Sequence, residues 1–217
     1  MITLALDTCL AACSLAILDG DRLIASHSEP MTRGHQERLA PMVRDSMIQT
    51  GLAFGALGRI GVTVGPGSFT GLRVGLAFAK GLALALKIPC VGVGTLEALA
   101  ASAKSMGARV AVIDAGRGNI YLQIFDVAGA VTMPDILPLA SAGARLADRP
   151  DLGAFTLIGP GATLLAEAMP EARCISLAAP APEAVASLAA RAIMEAPRPL
   201  YLRPPDARPK AMQTSAP

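Results

Sequence analysis

Catalysis by side chains needs a base, a nucleophile, a metal cluster or a phosphate cradle, and this 217-residue sequence is sparing with all four. Its two histidines, His27 and His35, lie on different predicted elements, and no HxxxH or HExxH spacing occurs. That argues against a metallopeptidase, which needs paired imidazoles on one helix face. Ser68 sits in GPGSFTG rather than in a GxSxG elbow, which argues against a serine nucleophile. Four aspartates fall at predicted strand ends: Asp7, Asp19, Asp114 and Asp126. Paired strand-end carboxylates could hold a magnesium nucleotide. The loop after Asp7, Thr8-Cys9-Leu10-Ala11-Ala12-Cys13, has no glycine, so its amides are poorly placed to approach a phosphate. The aspartates therefore read as turn and strand-end residues. Cys9, Cys13, Cys90 and Cys174 form no CxxC pair and read as reduced, mostly buried thiols.

The stretch 60–87, IGVTVGPGSFTGLRVGLAFAKGLALALK, carries most of what remains. A β-branched run at 60–64 reads as a buried strand, Gly65-Pro66-Gly67 breaks it, and Ser68 and Thr70 can cap the helix that follows. Such a turn is either an anion site at a helix N-terminus or a tight strand-to-helix connection without a ligand. The spacing matches neither a P-loop nor GxGxxG. Gly71, Gly75 and Ala79 lie four apart, a stripe almost without side chains, and Arg73 and Lys80 are the helix's only charges. A helix apolar nearly all round needs cover on more than one face. The expectation is that the stripe receives a partner helix, so that Gly75→Leu would break association and spare the fold. The apolar run 74–86 contains Lys80 and is too short to span a bilayer, and no basic leader opens the chain. A cytoplasmic protein with no membrane contact is expected.

These residues must be positioned by strands predicted at 2–6, 14–18 and 23–28, a helix at 33–49 containing Pro41, a strand at 90–93 and a helix at 96–104. After a break near 105–108 the chain starts again: ARVAVIDAGRGNIYLQIFDV echoes LALDTCLAACSLAILDG, with Asp7 on Asp114 and Asp19 on Asp126. LIGPGA at 157–162 then repeats the strand and GPG turn of 62–68. Two echoes in one order predict a duplicated lobe, 1–106 and a shorter 107–200, followed by a tail, 201–217. In the second lobe a short helix at 164–169 and a last helix at 183–195 are expected. Hydrophobic content of 53% with 17% charge makes the chain globular, and a net charge of +2 is too balanced to propose nucleic-acid binding by charge alone.

Asp7-Thr8, the helix opening His35-Gln36-Glu37-Arg38-Leu39-Ala40-Pro41, GPGSFTGLRVG, Ile113-Asp114-Ala115 and the tail Leu200-Tyr201-Leu202-Arg203-Pro204-Pro205-Asp206-Ala207 together resemble the TsaB family. The resemblance implies an α/β fold of two actin-like lobes (ASKHA, RNase H-like), with mixed sheets of antiparallel hairpins and parallel strands flanked by helices. It implies a catalytically inactive subunit with no cofactor of its own, paired with the catalytic TsaD and the ATPase TsaE. That assembly transfers threonylcarbamoyl to the adenosine beside the anticodon of tRNAs reading codons that start with A. ATP or ADP at the complex interface, tRNA contact through the complex, and a homodimer belong to the same set of expectations. The residues carried over for partner binding are His35, Glu37, Leu39, Met42, Met47, Gly71, Arg73, Gly75, Phe78 and Ala79. Those for an anion or nucleotide contact are Gly65, Gly67, Ser68, Thr70 and Arg73. The segment Asp114-Ala115-Gly116-Arg117-Gly118-Asn119 departs from the family's Asp-Ala-Arg-then-Glu pattern. The competing reading is an active ATP-dependent kinase or hydrolase of the same fold, which would need a glycine-rich phosphate loop after Asp7.

Overall fold

In the computed structural model, residues 1–105 and 107–203 are described. Met106 and the end of the LYLRPPDA signature, with the expected frayed terminus 211–217, lie outside them. β1 (Ile2–Asp7) and β2 (Ala12–Asp19) pair across the loop 8–11, and after a turn at Gly20 β3 (Arg22–Pro30) completes an antiparallel meander. Helix α1 (His35–Thr50) then crosses to β4 (Leu57–Thr63), parallel to β1, and α2 (Phe69–Leu86) crosses to β5 (Cys90–Val93), parallel to β4. The first sheet thus runs β3-β2-β1-β4-β5.

After α3 (Thr95–Ser102) the pattern repeats. β6 (Ala108–Gly116), β7 (Asn119–Phe125) and β8 (Asp135–Pro138) form the second meander. β9 (Phe155–Ile158) lies parallel to β6 and β10 (Arg173–Ile175) parallel to β9, with α4 (Leu139–Ala147) and α5 (Ala162–Ala166) as the crossovers. Read from its meander edge the second sheet is β8-β7-β6-β9-β10, the same topology as the first. The departure at 116–119 is the β6–β7 turn. Gly116, Arg117 and Gly118 all have positive φ, from +56° to +73°, a backbone that glycine adopts without strain.

Alternation along the strands sorts the side chains into two layers. Leu4, Leu6, Leu15, Ile17, Ile60 and Val62 meet Leu39, Val43 and Met47 of α1 and Leu72, Leu76 and Ala83 of α2. The other face carries smaller residues, Ala5 and Ala16 beside Val91, and receives the last helix, α6 (Pro182–Arg191), through Val185, Ala186 and Ala189. Gly61 faces the Ala189 methyl with no room for a side chain, so the small residues on this face let α6 approach closely. The last helix, expected within the second lobe and running to 195, therefore stops at Arg191 and packs on the first sheet. The converse holds for α3, whose Leu96 and Leu99 pack on Ala111, Ile113 and Ile158 of the second sheet. The first helix starts at His35 instead of 33, behind a left-handed Gly34, and keeps Pro41 inside it. Helix α2 starts at Phe69, beside the Ser68 and Thr70 expected to cap it, and runs for 18 residues. Among the described residues it is the one helix long and apolar enough to cross a membrane, yet its buried face is built into the first core.

Candidate functional site

The duplicated aspartates have opposite environments. Asp7 ends β1 with 1% of its surface exposed. Its Oδ1 accepts from the Thr63 hydroxyl at 2.6 Å and from the Cys9 amide at 3.0 Å, while Oδ2 is buried with no partner among the described residues. Burial raises the Asp7 pKa above the ordinary carboxylate value; the Thr63 and Cys9 hydrogen bonds and the nearby His35 only partly offset it. Beside it, burial and then the Asp7 charge push the Cys9 thiol up to about 12, so Cys9 is no thiolate nucleophile. Asp114, by contrast, is exposed and accepts from the Gly116 amide at 2.7 Å.

The N-terminal end of α2 packs on the loop that follows Asp7. The Thr8 hydroxyl donates to the Gly71 carbonyl at 2.7 Å and the Ser68 amide to the Cys9 carbonyl at 2.7 Å. A β-carbon on Gly67 or Gly71 would run into the Cys9 or Thr8 carbonyl oxygen, and one on Gly75 would lie 2.5 Å from Thr8 Oγ1. The glycines therefore admit the chain's own backbone. Ser68 caps the helix by accepting from the Gly71 amide at 3.2 Å. Gly65, whose peptide to Pro66 is cis, accepts from the Thr95 amide at 2.9 Å.

The C-terminal segment crosses this turn. The Leu200 amide donates to the Val64 carbonyl at 2.8 Å, and Arg203 donates to the Ala115 carbonyl of β6 at 2.9 Å. Between them the Tyr201 ring packs 5.3 Å from Phe69, and Arg73 lies 3.7 Å above the Phe69 ring and donates from Nε to the Tyr201 hydroxyl at 3.3 Å. Phe69 and Tyr201 stay 41% and 44% exposed. Beside this cluster, the starts of α1 and α2 enclose a cleft of about 390 Å³ lined by His35, Glu37, Ser68, Thr70 and Gly71.

With this geometry in hand, a sequence model of the family described as "TsaD: tRNA N6-adenosine threonylcarbamoyltransferase" matches residues 26–199. The tRNA threonylcarbamoyladenosine biosynthesis protein TsaB of Escherichia coli K12 is 40% identical over 124 residues, 56% of this chain and 53% of that protein. YeaZ from Pseudomonas aeruginosa superposes with a TM-score of 0.79 at 31% identity, covering 93% of this chain and 99% of its own. The chain belongs to this family, on its TsaB branch. Its matches span about half the length of the curated TsaB relatives. A ROK hexokinase from Thermus thermophilus, TM-score 0.52 at 16% identity, shares the fold alone, which is the two-lobed actin-like one expected.

Within that TsaB-like frame, the residues expected to bind a partner divide sharply. Leu39, Met42, Met47, Gly71, Gly75 and Ala79 are buried in the chain's own first core and present no surface. The glycine stripe was assigned to the wrong side of α2: its lack of side chains brings the helix onto Thr8 and Val62. His35 is 7% exposed with Nε2 lacking a partner among the described residues, Phe78 is half-buried, and Glu37 and Arg73 face outward. Of the residues expected at an anion contact, Gly65, Gly67 and Ser68 are engaged by the chain itself, while Thr70 and Arg73 are exposed. The outward face of α2 is instead Arg73, Ala77, Lys80 and Leu84, the last 81% exposed. Their spacing of three and four was readable once the buried side was known. Tyr201 was not, because 132 residues separate it from Phe69.

Proposed function

We propose that this chain is a non-catalytic subunit in the biosynthesis of threonylcarbamoyladenosine in tRNA, docking the catalytic TsaD through the outward face of α2 and the adjoining surface of α1. The observation that carries the reading is the sealed Asp7. The strand-end carboxylate that would face a magnesium nucleotide is 1% exposed, and the loop after it is pressed by the start of α2 through contacts with Thr8 and Cys9 that leave a β-carbon no space at Gly67 or Gly71. An active kinase or hydrolase of this fold would need that carboxylate open to ligand. The exposed Leu84 and Ala77 of α2 and Ile48 of α1 supply the apolar area an association needs. On this reading the protein is cytoplasmic and takes no cofactor of its own. ATP or ADP sits at the interface with TsaD, TsaE joins the complex, and tRNA is reached through the assembly.

The test is titration of the purified chain with TsaD from the same cell. Leu84→Asp, at a helix position 81% exposed, is expected to fold with at most a small drop in melting temperature from an acid near the helix C-terminus and to weaken binding at least tenfold, and the isolated chain is expected to hydrolyse no ATP. ATP turnover abolished by Asp7→Ala would overturn the non-catalytic reading.

A further inference from the structure

The outward face of α2 has a charge pattern that goes with a particular kind of partner. Arg73 and Lys80 are its only charged residues and the helix contains no acid. Seven residues apart, they lie on one face at a separation of roughly 10 Å along the axis. Both are exposed, and neither has a carboxylate partner among the described residues. Between and beyond them the face is small and apolar, with Ala77 between the two charges and Leu84 one turn past Lys80. Arg73 is also held in place. Its guanidinium lies over Phe69 and its Nε is spent on the Tyr201 hydroxyl, which leaves the terminal nitrogens free to form a two-pronged contact with an acid. A guanidinium ordered before binding loses less freedom on engaging a partner.

We infer that this face accepts a helix of a second protein that places two carboxylates about two turns apart, against Arg73 and Lys80, around a small apolar seam. This rests on the docking proposed above and adds the chemistry of what docks. Charge complementarity selects the occupant: laying α2 against α2 of a second copy would set Arg73 and Lys80 against cations. A phosphate backbone is disfavoured because the strip beside the cations is bare leucine and alanine.

The experiment measures the affinity of the full chain for TsaD at low and high salt, for wild type, Arg73→Glu, Lys80→Glu, the double Arg73→Met/Lys80→Met variant and Leu84→Asp, with thermal melts confirming that each folds. The expected result is a loss of tenfold or more for each charge reversal, a wild-type affinity that falls with salt, and a double-methionine variant whose affinity does not. Charge variants that bind TsaD like wild type, while Leu84→Asp loses binding, would overturn the acidic-partner inference and leave the docking face standing. Leu84→Asp binding like wild type would overturn the docking face itself. Charge variants that lose tRNA binding with TsaD affinity unchanged would assign the two cations to RNA and overturn the inference.

Discussion

At the scale of single residues, three glycines of one helix are expected to respond in opposite directions. Gly71 and Gly75 press on Thr8, whereas nothing lies within 4 Å of a β-carbon at Gly81. Alanine favours a helix over glycine by about 1 kcal/mol, so Gly81→Ala should raise the melting temperature. Gly71→Ala and Gly75→Leu should lower it despite the same gain, because forcing atoms into a filled space costs about 1–3 kcal/mol. Thermal melts of the three variants check the signs, and a Gly75→Leu protein as stable as wild type would contradict the packing. Asp7 gives a pH test. Its folded pKa is raised by burial, so its contribution to stability is present below the unfolded pKa and is lost as pH rises through the folded one. Asp7→Asn keeps an acceptor for Thr63 and Cys9 without the charge. Its melting temperature relative to wild type should therefore climb as pH is raised from mildly acidic to neutral, and a relative fall would refute the buried-charge account. The glycine spacing was legible in the sequence, but its side was not: a surface without side chains suits a foreign helix or the chain's own backbone equally well. The absence of glycine from the loop after Asp7 was also legible. What closes that loop, the first turn of α2, lies some 60 residues away and left no local signal.

At the scale of elements, Arg59 secures the helix that the sequence placed in the wrong lobe. This buried residue of β4 donates from one terminal nitrogen to the Ala189 and Ala190 carbonyls at 2.8 and 2.7 Å and to Ala192 at 3.2 Å, the C-terminal end of α6. A cation at a helix C-terminus also meets the favourable end of the dipole. Arg59→Met fills similar space but removes the donor to these carbonyls, of which Ala189 alone keeps a backbone partner among the described residues, the Ala192 amide, and charged hydrogen bonds of this kind are worth about 2 kcal/mol. In a chain of this size that is a fall of about 4–8 °C in melting temperature, which calorimetry would resolve; no fall would mean that α6 is held by its apolar face alone. Strand β5 and the order of the hairpins were readable because short β-branched runs between turns have few alternatives. The helix pairings were not, since α3 and α6 carry the same small apolar residues and either sheet could accept either helix.

At the scale of the whole molecule, the two equivalent sheets are not two independent domains. Each takes a helix from the other half of the chain: α3, before the break, covers Ala111, Ile113 and Ile158, and α6, after it, covers Ala5, Ala16 and Val91. The tail adds a third tie, from Val64 across the α2 turn to Ala115. The duplication read from the sequence is therefore real as topology, but cutting the chain at it should leave both pieces incomplete. A 1–106 fragment would expose the α6 face of the first sheet, together with Leu96 and Leu99 of α3. The complementary fragment would expose the inner face of the second sheet and carry α6 with nothing to cover. Apolar area of this extent left in water removes much of the margin that keeps a domain of about 100 residues folded. Each fragment alone is expected to give a collapsed amide spectrum without a cooperative melt. Mixing the two should restore dispersed resonances, and the intact chain should unfold in a single transition by every probe. A 1–106 fragment that folds alone would show that α6 is dispensable to the first sheet. The proposed docking face of α1 and α2, on the opposite side of that sheet, would then stand independently of the second half of the molecule.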